Sequence, residues 1–474
     1  MHIAFLNPQG NFDRVDSYLT EHPDFGGQLV YVKEVSMALA SMGVQVDIVT
    51  RHIDDPDWSG FSKQVDCYTT HQDLLRIVRI SCGGIGFLEK EKLWPHLPEF
   101  ISNVRAFYGS SLPDYLTAHY ADGGYCAVLL QHSTGLGFTF TGHSLGAQKL
   151  DKLGMTTANM ATLDQRFHFS QRIDAERLSM QRSDTIITST SQERFEQYGH
   201  TLYVGAVDTG DDDKFRVIPP GVNTKIFSDA RQEGDADTDA WLQNICGDDT
   251  ATYIVVSSRL DEKKNIAGVV TAYATSPNIQ QRARLGLFIR GVEDPFAEIN
   301  KLPEAEQSVL RPILAQIEAA DIKDKVDFFN ITSQRQLAAA YRFFARRHSI
   351  FALTSFYEPF GLAPIEAAAC GLVVVATRNG GPTEIFGDGS AVLVDPQNTG
   401  AIVHGLLDAL QRGAGLAAMG KQRVLSKYTW DQTARGYLRA IERGIGAKRS
   451  PGTVPDLDAA ARISDYLHAA EIAN

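Results

Sequence analysis

Two glutamates eight residues apart bracket the segment Ser355-Phe-Tyr-Glu358-Pro359-Phe360-Gly361-Leu362-Ala-Pro364-Ile-Glu366. Carboxylates accept hydrogen bonds from sugar hydroxyls, and a glycine between them lets backbone approach a ligand closely. Residues 350–353 read as a buried strand, and Pro364 fits the first turn of a following helix. A helix start presents unpaired N–H groups and a positive dipole end, which favour phosphate. The segment therefore suits a hydroxyl-rich, phosphate-bearing ligand, although the spacing alone is equally that of a strand-to-helix turn with two solvated glutamates.

Further loops carry groups that complement such a ligand. Ser257-Ser-Arg259-Leu-Asp-Glu-Lys263-Lys264-Asn265 follows a strand-like run, so that Arg259 and Lys264 are placed to neutralise a diphosphate leaving group. Either cation alone reads more readily as part of a solvated loop. Arg378-Asn-Gly380-Gly381-Pro382-Thr-Glu384 also lies between a strand and a helix start, where turn formation by itself accounts for the glycines. Asp24-Phe-Gly26-Gly27-Gln28 precedes a helix candidate at 30–42, and its glycines give backbone amides access to a diphosphate, yet no GxGxxG pattern follows. Phe138-Thr-Phe-Thr-Gly142-His143-Ser144-Leu145-Gly146 matches the G-x-S-x-G nucleophile elbow, which would make Ser144 the nucleophile of an α/β-hydrolase esterase. Against that reading, the residues after Gly146 are charged and no HGG-type oxyanion segment precedes it. In the other reading His143 stands at a strand end to touch a ligand.

These loops need strands to hold them. Short apolar runs alternate with helical patterns twice over, as in parallel α/β sheets. Strands are expected at 3–6, 46–49, 77–80, 138–141, 185–188 and 217–218, then at 253–256, 285–289, 326–328, 350–353, 373–376 and 392–394. Pro219-Pro220-Gly221 is the best linker, with the polar stretch 229–238 as the other candidate hinge. The expected organisation is a domain over 1–220, a second over 221–445, and helices at about 446–474 packing back onto the first. Ligands of doubly wound sheets bind beyond the carboxyl ends of the strands, and two such domains facing each other would share one cleft.

Composition narrows the functional classes. The 474 residues, 43% hydrophobic and 22% charged, are those of an ordered globular chain. A net charge of −12 argues against nucleic acid or an anionic membrane as partner, so an anionic ligand must meet local cations. Five cysteines without a CxxC pair argue against a metal or redox centre and for a reducing compartment. With no leader before the first strand and no apolar run of spanning length, the expected location is cytoplasmic.

The segments Phe5-Leu-Asn-Pro-Gln-Gly10, Asp24 to Gln28, Phe140-Thr-Gly-His-Ser-Leu-Gly-Ala-Gln-Lys149, Thr190-Ser-Gln-Glu193, Ile218-Pro-Pro-Gly-Val-Asn223, Ser258-Arg-Leu-Asp261 and Phe356 to Glu366 together resemble the sucrose-phosphate synthases, within the retaining glycosyltransferases of family 4. The resemblance implies a GT-B fold, α/β, of two Rossmann-like doubly wound domains with the active-site cleft between them: an amino-terminal acceptor domain and a carboxy-terminal nucleotide-sugar domain. It implies transfer of glucose from UDP-glucose, or ADP- or GDP-glucose, to fructose 6-phosphate with retention. A sister enzyme of the sucrose synthase or mannosylfructose-phosphate synthase type is the near alternative. By the same resemblance Glu358 binds glucose hydroxyls, the backbone of Phe360, Gly361 and Leu362 holds the sugar and diphosphate, and Glu366 binds ribose. Arg259 and Lys264 neutralise the diphosphate, Gly26, Gly27 and Gln28 line the meeting point of donor and acceptor, and His143 contacts glucose. Lys90, Lys149 and Arg172 are the implied ligands of the acceptor phosphate, although Lys90 sits in a charged run, Glu89-Lys-Glu-Lys92, that otherwise reads as a solvated face. Ile85-Gly86 departs from the family pattern, which has charged residues at this loop. No cofactor is implied, and metal is expected to be dispensable because two cations stand where a magnesium ion would. The implied form is a minimal catalytic unit lacking the extension and phosphatase-like tail of plant relatives, with a separate sucrose-phosphate phosphatase as partner.

Overall fold

The computed structural model describes residues 1–15, 27–71, 73–247, 251–447, 449 and 452–473. They form two compact units, Met1–Pro219 with Trp430–Asn474, and Pro220–Thr429. In the first unit the strands are β1 (His2–Leu6), β2 (Gln45–Arg51), β3 (Val65–Cys67), β4 (Leu75–Ile80), β5 (Tyr115–His119), β6 (Phe138–Thr141), β7 (Thr185–Thr188) and β8 (Phe215–Val217). Their order is β3-β4-β2-β1-β5-β6-β7-β8, parallel throughout except for the β3–β4 pair. The order reverses between β1 and β5, which opens a crevice beyond their carboxyl ends. Separate apolar cores cover the two faces of this sheet, and strands buried on both sides explain the unbroken apolar runs.

The second unit holds β9 (Tyr253–Ser257), β10 (Arg284–Phe288), β11 (Val326–Phe329), β12 (Ile350–Leu353), β13 (Val373–Thr377) and β14 (Val392–Val394). Their order, β11-β10-β9-β12-β13-β14, is the doubly wound pattern with its reversal between β9 and β12. The cation loop leaves β9 and the two-glutamate loop leaves β12, so the topology brings the two segments together at the switch point. Residues 229–234 form a loop inside this unit and not a hinge. Asp235, at the start of the helix Asp235–Cys246, is buried and forms a two-pronged ion pair with Arg342 at 2.6 and 2.7 Å, while the same guanidinium binds the carbonyls of Ile226 and Ser228.

The structure also differs from expectation in where the chain returns to the first unit and in two strands, the edge strand β3 being one of them. The chain returns to the first unit at Trp430 and not at 446, because the helix Trp430–Gly444 buries Trp430, Ala434, Tyr437 and Ile441 against the helix Gly27–Ser41 and the β1 face. The central strand β5 was also not expected. Its sequence, Tyr-Leu-Thr-Ala-His, dilutes the apolar signal with two polar residues, yet all five are buried. Among the described residues no helix is long and apolar enough to cross a membrane.

Candidate active site

In the second unit, the turn after β12 carries Glu358 and Phe360 and enters the helix Leu362–Ala369 at Gly361, whose φ of 113° only glycine adopts readily. A second loop fixes this one. Glu358 N–H donates to the carbonyl of Asn379 at 3.0 Å, and Gly381 N–H donates to the carbonyl of Glu358 at 2.9 Å. A Cβ at Gly380 would stand 2.1 Å from the Glu358 carbonyl oxygen, so close approach, beyond turn formation, requires the glycines of 378–384. Within the β9 loop, Asp261 caps the short turn Glu262–Lys264, and Asn265 donates to the carbonyls of Thr354 and Pro396 at 3.1 and 2.9 Å. This anchors the cation loop on the glutamate loop.

Lys264 and Glu358 meet directly: Nζ lies 2.7 Å from Oε2, with Ser355 Oγ 3.3 Å from the same oxygen. No local sequence pattern signals that the two form a pair. Arg259 is exposed, and among the described residues no ion pair holds it. Glu366, on the first turns of the helix, sits where burial pushes its carboxyl up to about 8. A neutral acid of this kind is ready to ionise when hydroxyl donors reach it.

In the first unit, the three expected phosphate ligands lie on the short turn Lys90–Lys92, the helix Gly146–Lys152 and the helix Phe169–Arg182. Arg172 is buried, donates from Nε to Glu176 Oε1 at 2.9 Å and to the Ser144 carbonyl, and lies 4.6 Å over the ring of Tyr120. Glu176 also accepts from Gly146 N–H at 2.9 and 3.0 Å and from the Tyr203 hydroxyl, so one carboxylate fixes both Arg172 and the start of the helix Gly146–Lys152. Lys149 reaches the ring of Phe167 at 4.1 Å and stands 3.8 Å from Glu91 Oε1. Burial, with repulsion from Arg172, Lys90 and Arg166 outweighing attraction to Glu91, lowers its ammonium to about 8. Lys92 does pair in solvent with Glu89, at 3.0 Å, but Lys90 is half-buried and acts electrostatically on Lys149, Tyr120 and Asp122.

Asp122, buried in the first turn of the helix Tyr120–Thr134, accepts from Gly123 N–H at 2.8 Å, and burial raises its carboxyl to about 7 against the pull of Arg172 and Lys90. Tyr120, with φ of 67°, holds the strained backbone often found at functional sites. Sequence reasoning missed Tyr120, Asp122 and Glu176. The first two follow the unexpected β5, whereas the four-residue spacing from Arg172 could have signalled Glu176. Gln28 donates to Asn7 Oδ1 at 2.6 Å, tying the helix Gly27–Ser41 to the turn after β1. A Cβ at Gly27 would meet open space, and Gly26 lies outside the described residues.

His143 has φ of 56°, and its Nε2 lies 2.9 Å from His119 Nδ1. The left-handed residue of the turn is therefore His143 and not Ser144. The imidazole beside Ser144 is engaged elsewhere, and Ser144 is exposed, so the geometry of a nucleophile elbow is missing.

Comparison with known proteins decides the family. Residues 1–241 match the model described as sucrose synthase first GT-B domain, and residues 238–427 match glycosyl transferases group 1. A probable sucrose-phosphate synthase of Thermosipho melanesiensis is 42% identical over 94% of this chain and 97% of its own length. The chain belongs to the sucrose-phosphate synthase family. It is a glycosyltransferase of GT-B fold, and the esterase reading of Ser144 falls. The maize sucrose-phosphate synthase is 30% identical over 93% of this chain but 47% of its own length, so the chain spans about half of that relative. The solved sucrose-phosphate synthase of Thermosynechococcus elongatus shares the fold, with a TM-score of 0.64, 24% identity, and coverage of 93% of this chain and 98% of that one.

Proposed function

We propose that this member of the family transfers glucose from UDP-glucose to the 2-hydroxyl of fructose 6-phosphate, retaining the anomeric configuration and releasing UDP and sucrose 6-phosphate. The observation that carries the reading is the cluster of Lys90, Lys149 and Arg172, where burial and, after it, repulsion from Arg172 and Lys90 lower the Lys149 ammonium to about 8. A sugar phosphate dianion would relieve that repulsion. Free fructose would not, which favours a phosphorylated acceptor over the sucrose synthase type.

On the donor side, the helix start at Leu362 and the backbone from Phe360 suit the sugar and diphosphate, Glu366 suits ribose, and Glu358 suits glucose hydroxyls. Arg259 and Lys264 take up the charge of the departing diphosphate. On binding, Lys264 would exchange its ion pair with Glu358 for charge-assisted hydrogen bonds to the diphosphate, each worth about 1.5–3 kcal/mol. Gly26, Gly27, Gln28 and His143 complete the proposed contacts.

The chemistry is a same-face substitution. The bond from the anomeric carbon to the diphosphate oxygen breaks, the bond to the acceptor oxygen forms on the same face, and the acceptor proton passes to the departing diphosphate. No carboxylate serves as nucleophile. Cation support from Arg259 and Lys264 makes metal dispensable in this scheme, and activity is expected to survive a chelator. Incubation with UDP-, ADP- and GDP-glucose against fructose and fructose 6-phosphate, with products identified by mass, tests the proposal. Sucrose 6-phosphate formed from UDP-glucose is expected; a product built on free fructose, or no consumption of sugar phosphate, overturns it.

A further inference from the structure

Behind His143 lies a chain of polar groups that the proposed reaction has not used. Thr117 Oγ1 is 2.6 Å from His119 Nε2, and His119 Nδ1 is 2.9 Å from His143 Nε2. Thr117 and His119 are fully buried. Aromatic rings clamp both imidazoles: Phe5 stacks on His119 at 5.3 Å, and Tyr31 meets His143 edge-on at 4.9 Å. We infer that Thr117 and His119 form a one-way hydrogen-bond relay that fixes His143 with its proton on Nδ1, as a permanent hydrogen-bond donor.

The direction follows from proton counting. A buried hydroxyl proton without an acceptor is costly, and among the described residues the only acceptor recorded for Thr117 Oγ1–H is His119 Nε2. Thr117 therefore donates, and His119 Nε2 is unprotonated. Neutral His119 then carries its proton on Nδ1 and donates it to His143 Nε2, which leaves the proton of His143 on Nδ1. The reverse direction would strand the threonine proton. Burial keeps both rings neutral, lowering His119 well below its usual value and His143 to about 3.

His143 in this state cannot take a proton. Its Nε2 lone pair is occupied and its Nδ1 is already protonated, so it serves only to donate to an oxygen of a bound ligand. Deprotonation of the acceptor hydroxyl is left to the departing diphosphate, in keeping with the proposed reaction, on which the identity of that ligand oxygen rests. Thr117 and His119 are positioning residues: they act through His143 and touch no substrate.

Histidine labelled with 15N reports the tautomer directly, without substrate. In the whole protein, with the His143 signals identified by their loss in His143→Gln, a protonated Nδ1 and unprotonated Nε2 are expected; a protonated Nε2 overturns the relay. Thr117→Val should admit the other tautomer at His143, and Thr117→Ser should restore the original pattern. An unchanged spectrum in Thr117→Val also overturns it. If the proposed transfer is observed, Thr117→Val should lower kcat about tenfold, as for one lost hydrogen bond, with KM for both substrates little altered and rescue by Thr117→Ser; a KM effect alone removes the positioning role. Failure to find any transfer reaction would leave the spectroscopic outcome intact and would count against the proposed function alone.

Discussion

Lys264 and Glu358 illustrate how the site restrains its own charges: each neutralises the other at 2.7 Å. Lys264→Ala should lower kcat by about 10²–10³, the usual effect of removing one stabilising donor from a developing anion, and should leave Glu358 with an uncompensated charge. Turnover within a few-fold of the parent would refute charge neutralisation by this residue. Glu366 poses a different problem, since burial raises its carboxyl to about 8. Between the ordinary glutamate value and 8 the folded chain keeps a proton that the unfolded chain has lost, so this group's contribution to stability falls as pH rises through that window and is flat above it. In the proposed donor complex ribose hydroxyls would donate to the ionised carboxylate, so binding would have the opposite slope. Calorimetric UDP affinity should therefore strengthen from pH 6.5 to 9, by at most about tenfold per pH unit below 8, and Glu366→Gln should flatten the profile.

At the scale of elements, two loops are interlocked by a backbone bridge between Glu358 and Gly380. Gly380, with φ of 101° and ψ of −150°, occupies a region that is essentially reserved for glycine. Gly380→Ala should cost about 1–3 kcal/mol from backbone strain alone, lower the melting temperature, and weaken donor binding by displacing Glu358; an unchanged UDP-glucose KM would show that the bridge does not position the site. This interlock also marks the limit of what the sequence discloses. The strand-loop-helix order of these segments was legible because β9, β12 and β13 each contain an unbroken apolar run, at 253–256, 350–353 and 373–376. Contacts between loops distant in sequence, such as Lys264 with Glu358 and Gly380 with the Glu358 carbonyl, leave no local pattern. The grouping of Lys90, Lys149 and Arg172 was legible only through family resemblance. Lys90 and Lys149 lie in charged runs that resemble ordinary surface, and His119 belongs to a strand whose polar residues face buried partners and not solvent.

At the scale of the whole molecule, the chain leaves the first unit at Pro219 and rejoins it at Trp430, and a change of core over two residues marks the return. Tyr428 is packed in the apolar core of the second unit with Phe360, whereas Trp430 is packed in the first against Tyr31, with ring centroids 5.4 Å apart. The helix that follows is fixed by Tyr437, whose hydroxyl lies 3.1 Å from that of Tyr31 and 2.9 Å from Thr141 Oγ1, and by Thr433, which donates to the Pro219 carbonyl at 2.7 Å. Periodicity could not locate this return, because a helix reads alike whichever core receives its apolar face. Removing either aromatic side chain leaves a cavity and should cost about 3–5 kcal/mol, but in different units. Hydrogen exchange followed by mass spectrometry separates them: Trp430→Ala should accelerate exchange in the helix Gly27–Ser41 and in β1, while Tyr428→Ala should accelerate it in the helix Leu362–Ala369. Were both variants to loosen the same peptides, the division at 429–430 would be wrong, and the helix Trp430–Gly444 would have to be reassigned to the core that responds.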